Sequence, residues 1–295
     1  MTTHPQNTPE FDTSTLTHSR TSRQSVIETA WTVVAGSFLA ISLLPLGAVL
    51  IYVVVRGGSR LSLTALTELP PPPLAGEGGF GNAIVGTLVI VGIATAIAVP
   101  FGVLAAIYLS EFGTGRIPRW IRFATNVLSG VPSIIMGVVV YGSFVLATGT
   151  FSAVAGGIAL FLLMLPIIIR TTEEALKLVP EAVRWASVGM GASKYQTVFR
   201  VVLPAALPAI ATGTSLAIAR AAGETAPLVF TASFAQYWAR GLFEPTASLS
   251  VLIYRFATTP YDNQQGLAWA ASLLLVGLVL LTSILSRWVT RKSVY

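Results

Sequence analysis

Six long apolar runs constrain this chain more than any other feature. They cover about residues 31–55, 83–109, 123–147, 153–169, 207–232 and 267–285. A run of roughly 17–25 apolar residues in a helix is long enough to cross the hydrocarbon core of a bilayer. In lipid each backbone N–H and C=O must be bonded within the segment, which selects helices. The runs therefore predict an all-α polytopic membrane protein with six transmembrane helices. Composition agrees: of 295 residues 54% are hydrophobic and 10% charged, where a soluble domain carries about 25% charged. The chain has no cysteine. That excludes disulfides, thiolate metal ligands and cysteine nucleophiles. Both histidines, His4 and His18, fall in the polar N-terminal stretch, and no metal site is expected.

The distribution of basic residues predicts orientation. Thirteen of the 18 lysines and arginines fall in the N-terminal stretch, the second–third loop, the fourth–fifth loop and the C-terminal stretch. The other loops hold four: Arg56, Arg60, Arg240 and Arg255. The positive-inside rule then puts both termini in the cytoplasm, N-in/C-in. The net charge of +6 is explained by this asymmetry and calls for no nucleic-acid partner. Residues 1–24 are polar and predict a disordered cytoplasmic tail. Residues 25–80 hold the first span, read as retained rather than cleaved, and an external Pro/Gly-rich loop expected to act as a connector. Residues 81–292 hold the other five spans and form the core domain.

Its longest inward segment, about 170–204, is not a simple connector. Glu173, Glu174, Ala175, Leu176 and Lys177 favour helix, Pro180 interrupts and can open a second one, and Gly189 and Gly191 permit a sharp turn. Tyr195, Val198, Phe199 and Val202 then share a face at helical spacing. A helix–turn–helix lying on the membrane surface is expected. None of the three lysines, Lys177, Lys194 and Lys292, follows glycine. A Gly-Lys phosphate-binding loop is thus missing from the sequence, and any ATP would be hydrolysed by another subunit.

The fifth run contains a charge pair. Arg220 stands four residues before Glu224 in ARAAGETAPL. A central intramembrane arginine costs about 2.5–3.5 kcal/mol on insertion scales and usually faces a bundle interior. Counted from Pro208, Arg220 lies about 18 Å into the helix. Pro227 cannot bond the carbonyl of Gly223, so the helix should kink or fray beside Glu224. Gly223 is expected to allow close backbone approach, and Thr225 adds a hydroxyl. Broken helices at membrane depth are where transporters place substrate. A guanidinium fits an oxyanion. The adjacent carboxylate repels a fully ionised one but accepts a hydrogen bond from a protonated one, which favours phosphate over sulfate. A self-neutralising pair that merely permits insertion is the simpler alternative.

Several stretches carry a family resemblance. Residues 218–232, IARAAGETAPLVFTA, resemble the fifth-span signature of phosphate ABC importer permeases. Residues 165–176, LPIIIRTTEEAL, and 128–137, LSGVPSIIMG, resemble two other segments of that group. Residues 191–204, GASKYQTVFRVVLP, resemble the second half of the coupling loop of binding-protein-dependent permeases. Gly191, Val201, Leu203 and Pro204 fit that motif. In its first half Ala186 fits, while Trp185 stands where a glutamate is usual, with Glu181 one turn upstream.

The resemblance implies the type I ABC importer permease fold in a bacterial cytoplasmic membrane. It implies a heterodimer with a second permease subunit, a cytoplasmic ATPase dimer that binds ATP and Mg, and an external phosphate-binding protein. No cofactor is implied for this chain, which is not itself an enzyme. The resemblance also assigns roles. Arg220, Glu224, Thr225, Arg170 and Glu173 would line the phosphate path, Glu173 within reach of Arg170. Arg184, Trp185, Ala186, Ser187, Gly191 and Ala192 would couple to the ATPase. A permease for another oxyanion and an ATP-independent anion transporter are the alternatives.

Overall fold

The computed structural model describes residues 23–74 and 78–291. The expected tail, 1–24, lies almost wholly outside them, as do both histidines and Lys292. The chain divides into two units, 1–52 and 53–295. In the first, helix α1 (Arg23–Gly58) begins, and it continues into the second. Trp31, Phe38, Leu44 and Ile51 are all exposed along it. A helix apolar on all sides suits lipid rather than water.

The second unit holds α2 (Leu63–Thr67), α3 (Gly81–Ile107), α4 (Ile117–Gly130), α5 (Ser133–Val140), α6 (Leu146–Thr148) and α7 (Ala153–Lys177). They are followed by α8 (Glu181–Gly189), α9 (Lys194–Thr197), α10 (Leu203–Ala222), α11 (Ala226–Thr231), α12 (Leu249–Ala257) and α13 (Asp262–Arg291). Single π turns extend α3 (Tyr108–Phe112), join α5 to α6 (Tyr141–Val145) and join α9 to α10 (Val198–Val202). No strand occurs among the described residues.

The central element is α7. Ala155, Gly156, Gly157 and Ala159 are buried along it. Small residues let helix backbones approach closely where lipid removes the hydrophobic drive between helices. Leu160, Met164 and Ile168 of α7 pack with Ile90, Ala94 and Ala98 of α3 and with Ala217 and Ala221 of α10. Among the described residues five helices are long and apolar enough to span a membrane, or six if one bent pair is counted as a span.

That bent pair corrects the third run. Instead of one helix over 123–147, α4 and α5 meet at 104°. Val131 is extended (φ −75°, ψ 130°), the conformation that a following proline imposes. Pro132 also lacks the N–H needed to continue the ladder. Ser129, Gly130 and Ser133 flank this break, and a Cβ on Gly130 would meet nothing within 4 Å.

The fifth run is also corrected. Its helix starts at Lys194 and ends at Ala222, rather than covering 207–232. The surface helix and the span are one rod, joined through a π turn just before Pro204, where the proline removes a ladder bond.

The Pro/Gly-rich loop before α3 does more than connect. Pro70 and Pro71 are buried. Gly79, Phe80 and Gly81 donate backbone hydrogen bonds to Leu69, Ala65 and Glu68 at 2.9, 2.8 and 2.9 Å. Phe80 is fully buried against a cluster that includes Leu249 and Leu252 of α12. The sequence reading held no α12, whose nine residues are too few to span.

Candidate translocation and coupling sites

Helix α10 stops at Ala222, and Gly223–Thr225 lie outside helix before α11 begins at Ala226 with Pro227 in its first turn. The expected break beside Glu224 is present. The Glu224 carbonyl accepts from the Ser250 hydroxyl at 2.8 Å, so the broken ladder is partly restored by α12. Arg220 Nε stands 3.6 Å from Glu224 Oε1, an ion pair too long for a direct hydrogen bond. The two differ in setting: the Arg220 side chain is 63% exposed and that of Glu224 18%. Arg220 thus does not face the interior of this chain's own bundle, as anticipated, but an open surface. Gly223 is exposed too, and a Cβ there would meet only the Arg220 carbonyl, at 3.7 Å. The expected close approach at Gly223 is not found. It occurs at Gly137 of α5, where a Cβ would lie 2.6 Å from Pro227 Cα. Thr225 is half-buried at the start of α11 and makes no side-chain capping bond.

A second polar site lies at the end of α7. Arg170 Nη2 donates to Asn126 Oδ1 at 2.8 Å. Glu173 is buried, and its Oε1 accepts from Arg122 Nε at 3.0 Å and pairs with Lys177 Nζ at 2.8 Å. The expected Arg170–Glu173 pair is not formed: Glu173 is taken by the two other cations. Arg122 Nη2 also donates to the Leu109 carbonyl in the π turn of α3, at 2.8 Å. These side chains border a cavity of about 210 Å³ with Thr125 and Glu174. Arg122 and Asn126 were not singled out from sequence. Their placement depends on the α4–α5 bend, and Arg122 read as one more basic residue flanking a span.

The 170–204 segment forms the anticipated hairpin. Pro180 caps α8, Gly191 adopts φ +88° in the turn, and Ser193 and Gln196 form a reciprocal capping box that opens α9. At φ +88° a side chain would be strained, so glycine at 191 is explained by the turn. The predicted coupling residues separate into two groups. Trp185 is 70% exposed and Ala186 is exposed beside it, as is Gly191. Ser187 is buried, its hydroxyl 2.9 Å from that of Thr197. Ala192 is half-buried, its N–H donating to the Ser187 carbonyl at 3.2 Å. Arg184 turns inward to Glu111, with Nη1 2.6 Å from Oε2. Leu178, Val188 and Met190 add exposed apolar surface around Trp185. A helix that shows Trp and Met to water has a face suited to a partner.

The chain is similar to known proteins. Residues 98–294 match the family model described as "Binding-protein-dependent transport system inner membrane component". Phosphate transport system permease protein PstA of Yersinia pestis is 43% identical over 246 residues, 83% of each chain. The protein of that name from Haemophilus influenzae is 40% identical over 81% of this chain and 85% of its own. Among solved structures, a bacterial alginate ABC transporter in complex with its alginate-bound periplasmic protein includes a chain that superposes with TM-score 0.65. That match is at 15% identity and covers 93% of this chain and 98% of the other. The inward-facing MetNI methionine ABC transporter gives TM-score 0.55 at 23% identity, over 74% and 95%. At such identities the structures speak for the fold alone. The chain belongs to the family of binding-protein-dependent transport system inner membrane components.

Proposed function

We propose that this chain is a permease subunit of an ATP-driven phosphate importer, and that it forms half of the translocation path. The observation that carries the reading is Arg220. A guanidinium at a broken helix within an otherwise apolar span is left 63% exposed on the chain's own surface. A lone chain that supplies one wall of a path must leave that wall open, and a second permease facing it would enclose the arginine. Similarity to phosphate transport system permeases over 83% of the chain supports phosphate as the anion.

Arg220 offers donors matched to an oxyanion, and Glu224 at 3.6 Å accepts from a protonated one. Thr225 adds a hydroxyl at the same break. Arg170, held by Asn126, is the second contact, at the cytoplasmic end. Glu173 serves the path only indirectly, by fixing Arg122 and Lys177. The chain lies N-in/C-in in a bacterial cytoplasmic membrane. There the α8–α9 hairpin meets an ATPase dimer that binds ATP and Mg, and a phosphate-binding protein docks outside.

The test is reconstitution with the second permease, the ATPase and the binding protein in proteoliposomes. Uptake of labelled phosphate should require ATP and should not be competed by sulfate. Uptake indifferent to ATP would instead support a secondary transporter. Uptake of sulfate in preference to phosphate would support the other-oxyanion reading.

A further inference from the structure

The π turn at the end of α3 closes with the Gly113 N–H donating to the Tyr108 carbonyl at 2.6 Å. It presents two consecutive side chains, Glu111 and Phe112, to the hairpin. Glu111 Oε1 and Oε2 both accept from Arg184 Nη1 of α8, at 2.5 and 2.6 Å. Arg184 Nη2 donates to the Leu176 carbonyl at the end of α7, at 2.7 Å. The Phe112 ring stacks on Tyr195 of α9 at 4.9 Å between centroids. Lys194 Nζ lies 5.3 Å from the centre of that same ring. The Ser187–Thr197 contact joins α8 to α9. The Glu111 and Arg184 side chains are only 9% and 22% exposed, so water screens the pair weakly.

We propose that Glu111, Phe112 and Arg184 form a clamp that ties the α8–α9 hairpin to the ends of α3 and α7. A displacement of the hairpin is then passed to both spans instead of being absorbed at the joint. The inference rests on the reading of α8 as the ATPase contact and goes beyond it. Arg184 acts inward, as a positioning residue, while Trp185 faces outward to the partner. The joint needs such a clamp. Only Leu178, Val179 and Pro180 link α7 to α8; Val179 packs with Ile107 and Leu176 in an apolar cluster, and the Arg184 bonds add directional contacts to that non-directional packing. An ion pair fixes one point and an aromatic stack another, on different helices of the hairpin. Two such points remove the rotation that either alone would allow.

The test uses the reconstituted four-component complex and reads phosphate imported per ATP hydrolysed. Glu111→Gln and Arg184→Gln should each lower that ratio by about fivefold or more, the size of an ordinary coupling energy, with the ATPase still co-purifying. The exchanged pair, Glu111→Arg with Arg184→Glu, should recover most of the loss. An unchanged ratio in both single variants overturns the proposal, and so does an exchanged pair no better than either. Loss of the ATPase from the Glu111→Gln complex also overturns it, since Glu111 would then serve docking.

A second readout is independent of transport. The chain has no cysteine, so spin labels at Phe101→Cys on α3 and at the exposed Ala182→Cys on α8 report the joint directly. Their distance distribution should stay narrow with and without nucleotide and widen in Glu111→Gln; no widening contradicts the clamp. Wild-type complex that moves no phosphate would overturn the assigned function, leaving the label distances to judge the clamp.

Discussion

Gly137 of α5 lies directly against Pro227 of α11, so that a Cβ at 137 would stand 2.6 Å from Pro227 Cα and 3.0 Å from its carbonyl oxygen. Backbone meets backbone there, and neither side has a flexible group that can yield. The contact holds α11 in place two residues after Thr225 and three after Glu224. Gly137→Ala is therefore expected to destabilise the chain by about 1–3 kcal/mol, the usual cost of overpacking. Thermal unfolding in detergent should show the midpoint falling by several degrees, and phosphate uptake should fall with it. An unshifted midpoint would mean that α5 and α11 can separate freely.

Trp185 should act on assembly rather than on the fold. It is 70% exposed on α8 and touches no buried cluster. An exposed tryptophan that becomes buried at an interface commonly contributes about 2 kcal/mol. Trp185→Ala should weaken ATPase binding by about 30-fold, read by titrating the ATPase onto the permease pair in nanodiscs, while the unfolding midpoint stays in place. A fall in midpoint with unchanged binding would reverse the assignment.

Arg122 and Glu173 should differ in their effects. Glu173 faces two cations that are 42% and 61% exposed, and solvent discounts both pairs, so Glu173→Gln should cost about 1 kcal/mol. Arg122 does more: it bonds Glu173 and also the Leu109 carbonyl left open by the π turn. Arg122→Ala takes the donor from the Leu109 carbonyl and leaves Glu173 with Lys177 alone, and should cost about 2 kcal/mol. Denaturant midpoints of the two variants would rank them, and the reverse order would contradict this account of the α4–α7 contact.

Glu224 is expected to set selectivity. Glu224→Gln removes the carboxylate that repels a fully ionised anion and accepts from a protonated one. Sulfate should then compete with phosphate for uptake better than it does in the wild type. Competition that remains as weak as before would show that Glu224 serves only to hold Arg220.

Much of this was legible in the sequence because lipid imposes simple rules. Uninterrupted apolar runs and proline positions gave four of the six spans, the break before α11 and the hairpin from Glu181 to the end of α9. What failed to appear depended on contacts between distant segments. A proline at 132 is compatible with a mild kink, whereas the 104° bend needs the extended Val131. The α12 helix is apolar but too short to register as a span. Glu173 was paired with Arg170 from helical spacing alone, whereas Arg122, 51 residues away, takes the carboxylate. The Glu111–Arg184 pair is separated by 73 residues, and no local pattern could have matched them. Arg220 was placed on the inside by the rule that intramembrane charge seeks a bundle interior. The rule applies to an assembly, and this chain alone is only one wall.

The most direct test of the central claim is ATP-dependent uptake of labelled phosphate by the reconstituted complex, comparing wild type with Arg220→Gln and Arg220→Lys. The account predicts that Arg220→Gln abolishes uptake while the complex still assembles, and that Arg220→Lys, which keeps the charge but loses the planar pair of donors, restores only a small part. Uptake by Arg220→Gln at the wild-type rate would contradict it and reduce Arg220 to a counter-charge for Glu224.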